Sequence, residues 1–513
     1  MIVEGKSIAR WVKEDTEVCI IGSGAAGAIL AWELAERGHR VVLLEKGGYH
    51  PKEAFTQKED EMIPRLYKNA GFQFAMPSGI IIAQGSCVGG STVVNDAVCF
   101  RTSDVVLERW EKEFHIEGVG PSDMKGYFEK VERRLSVADV RPDEINENNS
   151  VLRTGCEKLG WSASPNRRNC KSCRRCGLCH LGCSYGTKQS MLETYIRDAE
   201  TFHDEDVKIY SDCTAESLVT SDGRVSEVRA VIHSTGGKVP MSIRAQAVIV
   251  SAGTFASSEL LLRSRLDRRG HVGRNIALHP SPAIIGDFDG EINGHQGVPM
   301  AYHCREFGVM NTGKKGYLIE SVFLAPYQFL LTLPGYIYES KELMKRYNHY
   351  AMAGILLQDD SVGRMTLGGP VGTLIFYRLT SEDSRLMVEG MQNAARIFFA
   401  AGASRVITSQ RKRTVLYTED DLPLIEERGV GPTDINLGSG HPQGGNRMGG
   451  RAHESVVDSY GKFHGLQNLF VCDASVFPTS VGVNPQLTVM ALALRTSQHI
   501  GDNWDKIATG RAA

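Results

Sequence analysis

Residues 16–48, TEVCIIGSGAAGAILAWELAERGHRVVLLEKGG, constrain the fold more than any other stretch. Residues 18–21 are a continuous apolar run, as expected of a strand buried on both faces. Gly22-Ser23-Gly24-Ala25-Ala26-Gly27 follows with the G-x-G-x-x-G spacing. Residues 28–38 then read as a helix ended by Gly38, and 41–44 as a second strand that stops at Glu45 and Lys46. Gly22 permits the tight turn, Gly24 lets backbone approach a pyrophosphate, and Gly27 lets helix pack on strand. The helix N-terminus then faces the phosphates. Glu45, about twenty residues on, is placed for ribose hydroxyls. Strand, loop, helix, strand and acid in this order predict a Rossmann-like dinucleotide unit in an α/β chain. This motif alone leaves NAD and FAD both open.

The chain has 513 residues, enough for two or more domains. A net charge of −2 gives no global field for nucleic acid or an anionic membrane. No window of eighteen uninterrupted apolar residues occurs, so no membrane span is expected. The most apolar stretch, 317–338, is interrupted by Glu320, Pro326 and Pro334. It reads as a buried element of a second domain, with a membrane-contacting lip as the alternative. The first residues lack the apolar core of a secretory leader, so a reducing, cytoplasmic setting is expected.

Further stretches carry a resemblance. They are GSCVGGSTVVNDAVCFR (85–101), GHPQGGNRMG (440–449) and QNLFVCDASVFPTSVGVNPQLTVMALALR (467–495), supported by QAVIVSAGTFASSELLLRSRL (246–266) and VGRNIALHP (272–280). In these, the chain resembles the glucose–methanol–choline (GMC) flavoprotein oxidoreductases over nearly its whole length. The resemblance implies an FAD-binding Rossmann-like domain and a substrate-binding domain with an antiparallel sheet and helices. It implies FAD contacts at Gly22, Ser23, Gly24, Ala26, Gly27, Glu45 and Lys46, and in the second segment at Gly85, Gly89, Gly90, Ser91 and Asn95. Ala215 and Gly253 follow mid-chain, then Asp473, Ala474, Asn484, Pro485 and Gln486. The residues agree with this reading: 247–251 is another short apolar strand before Gly253. Residues 468–471 form a late strand with Asp473 at its C-terminal end, where open α/β sheets bind ligands. Residues 485–493 read as a helix with Pro at its first position, its N-terminal dipole toward the flavin. No His lies in 84–96 for covalent attachment, and Cys87 reads as a small buried hydrophobe. FAD is therefore expected to be non-covalent.

The resemblance also implies oxidation of a CH–OH group: a base takes the hydroxyl proton while the carbinol carbon gives hydride to flavin. His441, in Gly440-His441-Pro442, fills the base position, and Asn484, in Val483-Asn484-Pro485, fills the second. Histidine suits proton transfer near neutral pH, and Asn hydrogen-bonds without titrating. His279 reads as structural, and Tyr302, Phe307 and Tyr377 as core. A sugar, cyclitol or sterol alcohol is the expected substrate class. The alternatives are an oxygen-using long-chain or sterol alcohol oxidase with a structural zinc/cysteine loop and, in another class, a non-catalytic electron-transfer flavoprotein.

Residues 169–188, NCKSCRRCGLCHLGCSYGTK, hold five of the twelve cysteines: Cys170, Cys173, Cys176, Cys179 and Cys183. The last four give C-x2-C-x2-C-x3-C, the bacterial ferredoxin run without its Pro. An iron–sulfur cluster (4Fe–4S or 3Fe–4S) is the preferred reading, with Cys173, Cys176 and Cys179 as members and Cys170 or Cys183 completing it. Zinc on four cysteines, or on three with His180, is the alternative, and disulfides or free thiols remain open. The compressed spacing and soft donors favour the cluster. Arg167, Arg168, Lys171, Arg174 and Arg175 would stabilise an anionic centre or dock an acidic carrier. The stretch resembles both the iron–sulfur sugar dehydrogenases and the long-chain alcohol oxidases of this family. With a cluster, electrons would leave singly to an external protein or quinone-like acceptor. The expected layout is an FAD domain from 1–105, 185–285 and 435–513, a helical and cysteine-rich insert at 106–184, and a substrate domain at 286–434.

Overall fold

A computed structural model describes residues 1–199, 201, 206–267, 269–335, 337–360, 362–368 and 372–510. Three large sheets organise them. The first has a parallel core in the order Ile2–Val3, Val207–Tyr210, Val41–Leu44, Val12–Ile21, Gly237–Val250, with Leu469–Val471 also paired to Gly237–Val250. Helix Gly27–Glu36 crosses between Val12–Ile21 and Val41–Leu44, which makes the βαβ unit. Every residue of 18–21, 41–44 and 247–250 is buried, so these segments read as unbroken apolar runs.

Two of the strands extend beyond what the sequence suggested. One begins at Val12 rather than 18, the other at Gly237 rather than 247. In their first halves burial largely alternates, and Gly237–Val250 also forms an antiparallel meander with Arg224–Ser234 and Cys213–Ser221. Half-exposed strands give no continuous apolar signal. The C-terminal helix likewise runs Gln486–Asp502, past the expected end at residue 493. The polar residue Arg495 hides that continuation. It is buried and donates to the carbonyls of Ser459 and Glu117.

The second sheet is antiparallel, in the order Val415–Leu416, Arg405–Thr408, Ala283–Asp287, Tyr350–Leu357, Tyr317–Ser321, Tyr302–Cys304, Ala163–Pro165. Helices Glu147–Leu159 and Ser381–Ala401 pack on it, while Ala283, Val322, Met352 and Gly354 line a central cavity. Segment 106–184 is shared: its helix Glu147–Leu159 and strand Ala163–Pro165 join this sheet, whereas helix Pro121–Arg134 packs on the C-terminal helix. Stretch 317–338 divides. Tyr317–Ser321 is a buried strand, helix Pro326–Thr332 exposes Tyr327, Leu330 and Leu331, and residue 336 lies outside the described residues. Among the described residues no helix is long and apolar enough to cross a membrane.

The third sheet joins short strands in the order Gly438–Ser439, Ile80–Ile82, Phe74–Pro77, Thr373–Tyr377, Gly363–Leu367, Arg274–Ala277, Gln443–Gly445. Its two edge strands flank residues 440–442. So short a connection forces the sheet to curl back on itself, and His441 stands at the closure.

Candidate active site

The cavity between these sheets has a volume of about 820 Å³. At one end two glycine loops meet. A Cβ on Gly90 would sit 2.7 Å from Gly24 Cα, and Gly90 has φ +57°, so backbone lines the wall where a side chain would close it. A Cβ on Gly27 would lie 1.8 Å from the Gly22 carbonyl oxygen, which fixes helix against strand. Glu45 is buried at the end of its strand. Its Oε2 accepts from Ser23 N and Oγ at 3.0 and 2.6 Å, and its Oε1 accepts from Gly47 N at 2.8 Å. Burial raises its pKa, and these donors partly offset the rise. Ser23 Oγ also accepts from Gly89 N at 3.0 Å, which ties the two glycine loops together.

Of the expected cofactor contacts, Gly22, Gly24, Ala26, Glu45, Lys46, Gly85, Gly90, Ser91, Asn95, Ala215, Gly253, Asp473, Ala474, Asn484, Pro485 and Gln486 line the cavity. Ser23, Gly27 and Gly89 stand behind them. Asp473 Oδ2 accepts from Gly253 N at 2.9 Å and Ser257 Oγ at 2.5 Å, closing one strand end on another. Asn95 Nδ2 donates to Gln486 Oε1 at 2.8 Å, so the C-terminal helix is anchored with its first turn on the cavity wall. Cys87 is buried and does not line the cavity.

The cavity fits FAD on its own chemistry. Its wall presents a backbone cradle, and Gln84 Oε1, Asp96 Oδ1, both His180 ring nitrogens and Asn484 Oδ1 are buried without partners. Unpaired buried polar atoms are costly unless a ligand meets them.

His441 and Asn484 meet on the same wall, with Asn484 Nδ2 3.5 Å from His441 Nε2. Burial pushes His441 down to about 4, so its imidazole is neutral and able to accept a proton at neutral pH. His279 stands edge-on to it, ring centroids 5.6 Å apart. His279 Nε2 accepts from Gly482 N at 3.1 Å and lies 3.0 Å from Gln443 Nε2, while Gln443 Nε2 also donates to the His441 carbonyl. His279 thus binds the His441 turn to the loop carrying Asn484.

Glu320, on the buried strand Tyr317–Ser321, escaped sequence reading. Its carboxyl lies beside the Asn484 amide, and its Oε1 has no partner. Burial raises it to about 8, which Asn484 partly offsets, so it is a neutral acid at pH 7. In the sequence it looked only like an interruption of an apolar stretch.

All five loop cysteines surround a second, small cavity together with Arg174, Tyr185, Thr187 and Lys188. Cys170 pairs with Lys188 and Cys176 with Gly297 through backbone bridges. Four sulfurs receive donors: Gln57 Nε2 to Cys176 (3.5 Å), Arg175 N to Cys173 (3.4 Å), Lys188 N to Cys183 (3.5 Å) and Arg168 Nη2 to Cys179 (3.3 Å). A hydrogen bond from Cys170 pushes the Cys173 thiol down. His180 lines the large cavity, not this one. Among the described residues no three His, Cys, Asp or Glu side chains converge to hold a single metal ion.

Fold and cavity together define a nucleotide-cofactor oxidoreductase. The chain belongs to the GMC oxidoreductase family, whose N- and C-terminal signatures match residues 63–281 and 359–493. An FAD dependent oxidoreductase signature matches 17–54, so the cofactor is FAD. An uncharacterized GMC-type oxidoreductase of Mycobacterium tuberculosis is 31% identical over 481 residues, 93% of this chain and 74% of that one. A long-chain-alcohol oxidase of Arabidopsis thaliana is 29% identical over 513 residues, 95% of this chain and 69% of that one. Among solved structures, formate oxidase of Aspergillus oryzae superposes with a TM-score of 0.73 at 15% identity, covering 97% of this chain and 100% of that one. Pyridoxine 4-oxidase from Mesorbium loti superposes at 0.70 with 17% identity, covering 94% and 99%. At such identities these structures speak to the fold alone.

Proposed function

We propose that the protein is an FAD-dependent alcohol dehydrogenase whose electrons leave through an iron–sulfur centre held by the 170–183 loop. The observation carrying the catalytic part is the meeting of His441 and Asn484 on the cavity wall, 3.5 Å apart. His441 Nε2 takes the proton of the substrate hydroxyl. Asn484 Nδ2 donates to the same oxygen and orients it. FAD, when bound, supplies the hydride acceptor. Gly22, Gly24, Glu45 and Lys46 hold its nucleotide half, and Asn95, Asp473 and Pro485 its flavin half. On this reading 1–105, 185–285 and 435–513 serve the cofactor, 286–434 the substrate, and 106–184 carries the cysteine loop.

The wall contributed by the second sheet and the Pro326–Thr332 helix presents Ala283, Val322, Leu324, Leu331 and Met352. This favours an alcohol with an apolar body, long-chain or sterol-like, over a sugar or cyclitol. A sugar needs a polar partner for each hydroxyl. The name of the Arabidopsis relative points the same way.

For the loop, the supporting observations are five thiols around one cavity and donors directed at four of the sulfurs. Hydrogen bonds to sulfur tune such clusters. The compressed spacing of the thiols favours a cluster over a single zinc. The second reading, an oxygen-using oxidase with a structural cysteine loop, draws support from the relative's name. The test is anaerobic flavin bleaching by a panel of long-chain, sterol and sugar alcohols, followed by reoxidation with oxygen or a dye. Bleaching by apolar alcohols with fast dye reoxidation is expected. Bleaching by none of the panel would defeat the reading, and fast reoxidation by oxygen would favour the oxidase.

A further inference from the structure

Lys188 and Arg168 are both buried, 2% and 3% exposed, and both reach Cys179. Lys188 Nζ donates to the carbonyls of Val93, Asn95 and Cys179, each at 2.7 Å. Arg168 Nη2 donates to Cys179 Sγ at 3.3 Å and its Nε to the Asp96 carbonyl at 2.9 Å. Neither forms a direct ion pair among the described residues, although the charge of the Asp96 carboxylate acts on Arg168. Carbonyls satisfy the N–H groups of these side chains but carry no net charge. Two cations removed from water around one residue are unfavourable without negative charge near them.

The position of that anion can be read from the walls. Lys188 lines the cysteine cavity and not the flavin cavity. Asp96 is half-buried and lines the flavin cavity with an unpaired Oδ1; its charge also acts on Arg168, whereas Lys188 Nζ is met by uncharged carbonyls. Protonated thiols carry no charge. Thiolates on a metal–sulfur core do, and Arg168 points at one of their sulfurs while Lys188 lies in the wall of the same cavity.

We propose that Lys188 and Arg168 are buried counter-cations of an anionic thiolate-bound centre at Cys179, and that Lys188 fastens this centre to the Val93–Asn95 turn of the flavin cavity. The inference rests on the iron–sulfur reading above. It adds a consequence: the cations raise the reduction potential of the centre and so draw electrons from the flavin side. The exposed Lys171, Arg174 and Arg175 are solvated and contribute little to this effect.

Anaerobically purified wild type, Lys188→Met, Lys188→Arg and Arg168→Met are compared for iron, acid-labile sulfide and FAD content. The midpoint potential of the centre is measured by redox titration monitored by EPR. Wild type should contain iron and sulfide. Lys188→Met should keep FAD but either lose iron or show a potential lower by at least 59 mV, a tenfold change in a one-electron equilibrium. Lys188→Arg should stay near wild type, and Arg168→Met gives the same comparison if Lys188→Met does not fold. Iron retained at an unchanged potential in both neutral variants would overturn the counter-cation role. Wild type without iron and sulfide would instead overturn the cluster reading. If zinc is then present, its loss from Lys188→Met with retention in Lys188→Arg would still support the counter-cations.

Discussion

Asn484 Nδ2 lies 3.5 Å from His441 Nε2, although 43 positions separate the two residues in the chain. His441 stands where the curled third sheet closes, and Asn484 lies two residues before the C-terminal helix. His279 and Gln443 hold the two loops against each other. One hydroxyl oxygen can therefore meet a neutral base and an amide donor together.

Replacing Asn484 by Asp keeps the size of the side chain but places a carboxylate beside Glu320. Two acids in contact cannot both ionise easily, and the substrate oxygen loses its N–H donor. Anaerobic flavin reduction should slow by roughly 10²-fold or more with FAD content unchanged. A Ser substitution, which keeps a donor, should recover part of the rate.

Glu320 is held up to about 8 by burial. Its neutral form predominates below that pH and its carboxylate above it. The reduction rate should therefore show an inflection near pH 8 in wild type that is missing in Glu320→Gln, with the rate below pH 7 little changed. A rate profile by stopped-flow absorbance between pH 6 and 9.5 checks this.

Gly90 approaches Gly24 backbone to backbone with φ +57°. Gly90→Ala should purify with little or no FAD while remaining folded by circular dichroism. Gly223→Ala, at an open turn with nothing within 4 Å, should keep its FAD.

Burial pushes His441 and His303 down to about 4 and His279 well below the ordinary 6.5. A histidine depressed in the fold contributes its full stability above 6.5 and loses it as pH falls toward 4. For His303 the loss is on the order of 3 kcal/mol. Urea midpoints of the FAD-free protein should fall steeply between pH 6.5 and 4, and less steeply in His303→Asn.

The βαβ unit was legible because parallel strands buried on both faces leave unbroken apolar runs, and because glycines at a close backbone approach have no substitute. His441 and Asn484 were legible only through their motifs, since fifteen histidines give no other ground for choice. Glu320 was illegible: a buried acid is defined by what surrounds it, and Asn484 and Asp96 come near it only after folding. The early starts of strands Val12–Ile21 and Gly237–Val250 were hidden because alternating burial looks like loop. Arg168 looked like a member of a basic loop, and only its burial against Cys179 separates it from Lys171 and Arg174.

The most direct measurement is the rate of anaerobic flavin reduction by an apolar alcohol in wild type and in His441→Ala, at equal FAD occupancy and pH 7. Loss of a general base should lower the rate by about 10²–10⁴-fold, with FAD spectrum and content unchanged. Reduction of the His441→Ala flavin at the wild-type rate would contradict proton abstraction by His441.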